Sequence, residues 1–293
     1  MLDRIFTFFF GEKFRGRFEK LTLYLAIGSF IIHLILIILH DLHWIDLGAS
    51  TKELFISPVT AIYTPFSFIL IYEVYLLIYH LQDSFTISIG KQFEIISLII
   101  IRRIFKDISK VDLHSDWHQS SHNLLLASDM LTIVLLFLLI YGFYRLRQQK
   151  PEFKPRKSIE RFVRFKKMVS VVLAPILFGL AIYSLADWLM DLQKFNMGEI
   201  SQLKDINKIF YNEFFTLMVL FDVLILMVSF KYTDNYSQLI RNSGFIISTI
   251  LIRLSFSAEG ILNPLLILIA VLFGVLMLWI YNLVGALEIH RSA

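Results

Sequence analysis

Eight apolar runs follow one another along the chain, each near the roughly 20 residues that a helix needs to cross a bilayer. They cover about Leu21–Leu39, Pro58–Leu81, Gln92–Ile108, Asn123–Tyr144, Met168–Met190, Phe214–Phe230, Gly244–Phe256 extended at its N-terminal end, and Leu262–Gly285. The third and seventh are the least apolar, because each carries an Arg. Composition agrees with this reading. Of 293 residues, 57% are hydrophobic and 18% charged, whereas a soluble domain has about 45–50% apolar and about 25% charged residues. The predicted fold is an all-α polytopic membrane protein with eight transmembrane helices. Phe is abundant, and a lipid-facing surface accounts for it.

Two of the runs carry nearly the same phrase. Ile95-Ile96-Ser97-Leu98-Ile99-Ile100-Ile101-Arg102 returns as Ile246-Ile247-Ser248-Thr249-Ile250-Leu251-Ile252-Arg253. In each half an acid stands in the preceding run, Glu73 in the first and Asp222 in the second. A charged side chain at the centre of a membrane helix costs about 2.5–3.5 kcal/mol on insertion scales. Both signs occurring in both halves point to a duplicated unit and to two intramembrane pairs, Glu73–Arg102 and Asp222–Arg253. Hairpin turns expected near Ser84–Gly90 and Asp234–Ser237 would bring each acid and its Arg to similar depth. Arg103 is extra in the first half, where the second has Leu254. Ser97 and Ser248 fall away from the Arg face and are candidates to hydrogen-bond a neighbouring helix. The pairs are open to two readings: they orient each bundle, or they line an ion or proton path. Removing one partner of a buried pair costs more than the pair itself contributes, and intramembrane ionisable groups are functional candidates by default. A voltage sensor is disfavoured, since no helix repeats Arg at every third residue.

Basic residues set the topology. Arg145, Arg147, Lys150, Lys154, Arg156, Lys157, Arg161, Arg164, Lys166 and Lys167 crowd the connection between the halves. The N-terminal segment is basic too, with Arg4, Lys13, Arg15, Arg17 and Lys20 among six Phe residues. Four runs separate these segments, so both lie on one side, expected to be cytoplasmic along with both termini. An even number of spans makes the two repeats parallel. The expected organisation is an amphipathic surface helix over 1–20, a four-span repeat over 21–146, a basic linker over 147–167 and a second four-span repeat over 168–293. A signal peptide is the weaker reading of the N-terminus, because no small-residue cleavage site follows.

The absence of Cys excludes disulfides, thiolate catalysis and Cys-ligated metals. No phosphate-binding loop, nucleophile elbow or zinc-protease motif occurs. The formal charge of +4 sits in the topogenic segments and implies no nucleic acid. His114, His118 and His122, spaced by four and near Asp112 and Asp116, would share a face of a helix and could hold a metal ion. A plain hydrated loop and a pH sensor are the other readings. His33 reads as a hydrogen-bonded core residue, and Trp44, Trp117, Trp188 and Trp279 as interfacial anchors.

The hairpin from Phe221-Asp222-Val223 through Ser248–Arg253, the short loop Ser257–Gly260 and the final span ending Leu278-Trp279 resemble the phosphate-starvation-inducible PsiE family of bacterial membrane proteins. The first half matches through Tyr72-Glu73-Val74 and Ile95–Arg102. The resemblance implies a four-span unit with an acid on its second helix and Arg on its third; it implies no reaction. The chain departs from the family in its tandem arrangement, its long basic linker and its His cluster. Three functions fit these features. One is an inner-membrane protein that moves ions or protons past the buried pairs. Another is a non-catalytic sensor, regulator or accessory subunit. The third is a membrane enzyme with a metal at the His cluster. Expected partners are the bilayer, anionic lipids at the basic segments, and a protein partner or second copy.

Overall fold

The computed structural model describes residues 2–44, 58–108, 121–148, 157–196, 206–232, 236–258 and 260–292. Among them the chain forms nine α-helices and no strand. These are α1 Leu2–Phe10, α2 Glu12–Asp41, α3 Tyr63–His80, α4 Phe85–Ile108, α5 Ser121–Gln148, α6 Lys157–Asn196, α7 Ile206–Phe230, α8 Tyr236–Ser255 and α9 Leu262–Ser292, with a short 3₁₀ turn at Pro58–Ile62 before α3. Each of the eight apolar runs falls on a helix. Among the described residues three helical segments are long and apolar enough to cross a membrane: Glu12–Asp41, Asn123–Gln148 and Leu262–Gly285. Their lipid-compatible character shows in side chains such as Leu23, Ile32, Leu131, Leu138 and Leu265, all exposed. These features are compatible with an integral membrane protein.

Several boundaries differ from expectation. The N-terminal helix breaks at Gly11, and α2 then continues through Lys20 into the first apolar run. The Phe residues of this region do not all face outward. Phe6 and Phe10 are buried, and the Phe10 ring stacks on Tyr75 at 5.8 Å between centroids, while Phe8 stays exposed. The first hairpin turn is earlier and shorter than Ser84–Gly90, because Ser84 caps α4: its Oγ accepts from the Ile87 N–H at 3.4 Å. Residues 157–167 of the expected linker are the first three turns of α6. Pro175 therefore lies inside that helix rather than near its start.

The chain divides into two compact units. The first comprises Met1–Leu76, Ile101–Leu126 and Leu173–Phe214. It holds the α1/α2 aromatics against Tyr72 and Tyr75, a hydrogen bond between His33 and Thr64, and the stacked rings of Phe66 and the exposed Phe105. The second comprises Leu77–Ile100, Ala127–Val172 and Phe215–Ala293. At its centre Phe93 meets Phe143 edge-on at 5.3 Å and Phe143 meets Phe245 at 5.9 Å. Gly274 lets α9 approach here. A Cβ at this position would sit 2.7 Å from the Phe93 ring and 3.0 Å from Ser248 Oγ. Across the same contact Ser248 donates to the Ala270 carbonyl at 2.6 Å. The turn into α9 uses Gly260 at φ +62, a left-handed conformation that glycine adopts without steric cost. Asn263 then donates to the Ser255 carbonyl at 2.7 Å, satisfying an acceptor at the end of α8.

Candidate functional site

The first unit contains a buried ion pair. Arg102 on α4 donates through Nη2 to Glu73 Oε2 on α3 at 3.1 Å and through Nη1 to the Phe66 carbonyl at 3.2 Å. Glu73 is 3% and Arg102 8% exposed, so both charges are held out of solvent. Arg102 lies farther from the turn than Glu73, since α4 begins already at Phe85. Arg103, its neighbour, is half-buried.

The second hairpin does not repeat this pair. Arg253 donates to Thr216 Oγ1 at 3.0 Å and to Ser257 Oγ at 3.2 Å. Asp222 instead takes a hydrogen bond from Gln92 Nε2 at 3.4 Å. Two features account for the difference. Glu73 and Arg102 are 29 residues apart, whereas Asp222 and Arg253 are 31 apart, and Asp is one methylene shorter than Glu. The expected Asp222–Arg253 pair is thus replaced by two separate sets of contacts. The serines differ as well. Ser248 bonds the neighbouring helix α9, whereas Ser97 bonds the Glu94 carbonyl of its own helix at 2.6 Å.

Asp222 is the centre of a polar junction in the second unit, built by four helices and one turn. It is 5% exposed. Gln92 on α4 donates to it while the Gln92 carbonyl oxygen accepts from Thr249 Oγ1 on α8 at 3.0 Å. Both ends of the Gln92 amide are therefore used, which fixes its orientation. Thr249 also lies 3.1 Å from the Phe245 carbonyl. Lys166, 3% exposed in the first turns of α6, donates to the Asp83 carbonyl and lies over the rings of Phe85 and Phe162 at 5.6 and 5.3 Å. Burial pushes the Lys166 ammonium down to about 8, opposed by the charges of Asp83 and Asp222. Beside it, His80 Nδ1 is 2.8 Å from Asp83 Oδ2, and Ser170 Oγ is 3.3 Å from the Ile78 carbonyl. Among the described residues no Lys or Arg lies within salt-bridge distance of Asp222. Asp222 is thus a buried carboxylate held by a neutral amide donor, and ionisable groups on apolar membrane helices are functional candidates by default.

Gln92, Thr249 and Lys166 are not singled out by the sequence. Gln92 and Thr249 are ordinary polar residues in apolar context, and Lys166 is hidden in a topogenic basic run. The signal that could have found Gln92 and Thr249 is polarity in and beside the repeated phrase: Thr249 stands within it and Gln92 three residues before it. Asp129 on α5 is a further buried acid, outside the two Arg-bearing hairpins. His114 and His118 of the metal reading lie outside the described residues, and His122 falls in the first turn of α5 with its side chain outside them. Among the described residues no cluster of three or more His, Asp or Glu could hold a metal ion.

Comparisons with protein-family models, with curated proteins and with solved structures found no match to this chain.

Proposed function

We propose that this is an eight-span membrane protein of two PsiE-like four-helix halves that moves protons or ions through a single acidic centre at Asp222. Both termini would face the cytoplasm across the inner membrane. The observation that carries the reading is the composite shell of Asp222. Gln92 comes from the first half, Lys166 from the segment between the halves, and Thr249 from the second half. A duplicated chain assembled this way has one centre, as expected for a site shared by repeats. Asp222 takes its hydrogen bond from the neutral Gln92 amide, which Thr249 orients in turn, whereas Glu73 is paired with the charge of Arg102. The PsiE likeness rests on the sequence phrases alone.

The second reading, a regulatory or accessory subunit, is favoured by the closed Glu73–Arg102 pair, which has the character of a structural element. Proteoliposomes holding the purified protein and a trapped pH dye separate the two. Proton or ion flux that is lost in Asp222→Asn, with Arg253→Gln retaining it, supports the transport reading. No flux in folded wild type, or flux unaffected by Asp222→Asn, moves the assignment to the regulatory reading.

A further inference from the structure

The repeated phrase aligns Ile95 with Ile246, and the same register places Lys91 beside Asn242, Gly90 beside Arg241 and Glu94 beside Phe245. The start of α4 is electrically closed. Lys91 Nζ is 2.7 Å from Glu94 Oε2, and Tyr144 on α5 donates to the other Glu94 oxygen. Within α8 a cation, Arg241, is present, while Phe245 stands at the position of Glu94. Arg241 lies over the Tyr281 ring at 4.4 Å and the Phe245 ring at 6.0 Å. Its guanidinium donates through Nε and Nη2 to Asn242 Oδ1 at 3.1 and 2.9 Å. Among the described residues no carboxylate lies within salt-bridge distance of it. A guanidinium stays protonated at any working pH, and among the described residues this half-buried charge has no carboxylate standing where Glu94 stands in the first half.

We infer that Arg241 binds the phosphate of an anionic phospholipid, which supplies the acid missing at the position of Phe245. Arg is suited to phosphate, because its planar fork makes paired charge-assisted hydrogen bonds. The depth is that of a head group. Arg241 is in the second turn of α8, and Tyr281 is four residues from the end of the apolar segment Leu262–Gly285. Exposed Ile240, Ile280 and Leu283 flank the pair and offer an apolar surface to acyl chains. The inference rests on the membrane character of the helices and is independent of transport at Asp222.

The test is the melting temperature of detergent-purified protein titrated with phosphatidylglycerol, phosphatidylcholine or inorganic phosphate. Asn242→Asp is the central variant. It places a carboxylate where an amide oxygen already touches the guanidinium, so it supplies an internal counter-charge with almost no change of shape. The expected result is stabilisation of wild type by phosphatidylglycerol at about tenfold lower concentration than by phosphatidylcholine, equivalent to one charge-assisted contact. Asn242→Asp should melt higher than wild type without lipid and lose the preference. Arg241→Gln should lose it too, and Lys91→Gln should keep it. Equal effects of the two lipids on wild type, or an undiminished preference in Asn242→Asp, would overturn the inference. Equal stabilisation by inorganic phosphate alone would overturn the lipid assignment in favour of a free anion.

Discussion

Substituting Arg102 by Leu should be among the most damaging single changes in the first compact unit, and adding Glu73→Leu should repair much of it. The Arg102 guanidinium meets Glu73 at 3.1 Å with both groups nearly inaccessible. Removing one partner of such a pair leaves a buried charge uncompensated, a loss of about 3–5 kcal/mol. Glu73→Leu should fall at the lower end, because Arg102 keeps the Phe66 carbonyl at 3.2 Å. With both groups replaced by Leu, desolvation and attraction vanish together, and apolar replacement of a buried pair is often neutral or better. A thermal or denaturant double-mutant cycle in detergent micelles should therefore show a coupling of at least about 2 kcal/mol. The same cycle on Asp222 and Arg253 should be additive within about 0.5 kcal/mol, since these residues make separate contacts. Additivity at Glu73–Arg102, or strong coupling at Asp222–Arg253, would refute the assignment of contacts.

Three further outcomes follow from the second unit. The Lys166 ammonium is held near 8, below the usual 10.5 of an unfolded chain, so between about pH 8 and 10.5 the unfolded protein binds more protons and stability should climb with pH, with the penalty fully present below 8. Lys166→Met should raise the melting temperature at pH 7 and flatten that climb; an unchanged pH profile would show that the ammonium is hydrated. Gly274→Val should destabilise by about 1–3 kcal/mol through overpacking, because its Cβ would press on Phe93 and Ser248, and a melting temperature equal to wild type would deny the close approach. Ser248→Ala should cost about 1 kcal/mol by leaving the Ala270 carbonyl without its side-chain donor, whereas Ser97→Ala, which removes only a bond within its own helix, should cost less in the same melts.

What the sequence made legible follows from the physics of charge in apolar runs. Glu73 and Arg102 stand out because each is expensive alone, and a common hairpin gives them a shared neighbourhood. Asp222 stands out for the same reason, but its partner does not. A shift of two residues in spacing and one methylene in length redirects it to Gln92, which only the packing of α4, α7 and α8 brings near. Lys166 was illegible because a basic run is read for topology, and its burial depends on α6 starting as early as Lys157. Helix starts were misplaced where a local cap decided them, as at Ser84, since the onset of an apolar run is not the onset of the helix that contains it.

An ionisable Asp222 and a purely structural one differ in whether the carboxyl changes protonation state with pH. Infrared difference spectroscopy of the protein in lipid, recorded between acid and neutral buffer, reads this directly through the carboxylic acid C=O stretch. The expected spectrum has a band that appears on acidification in wild type and in Arg253→Gln and is missing in Asp222→Asn. A spectrum identical in wild type and Asp222→Asn would contradict it.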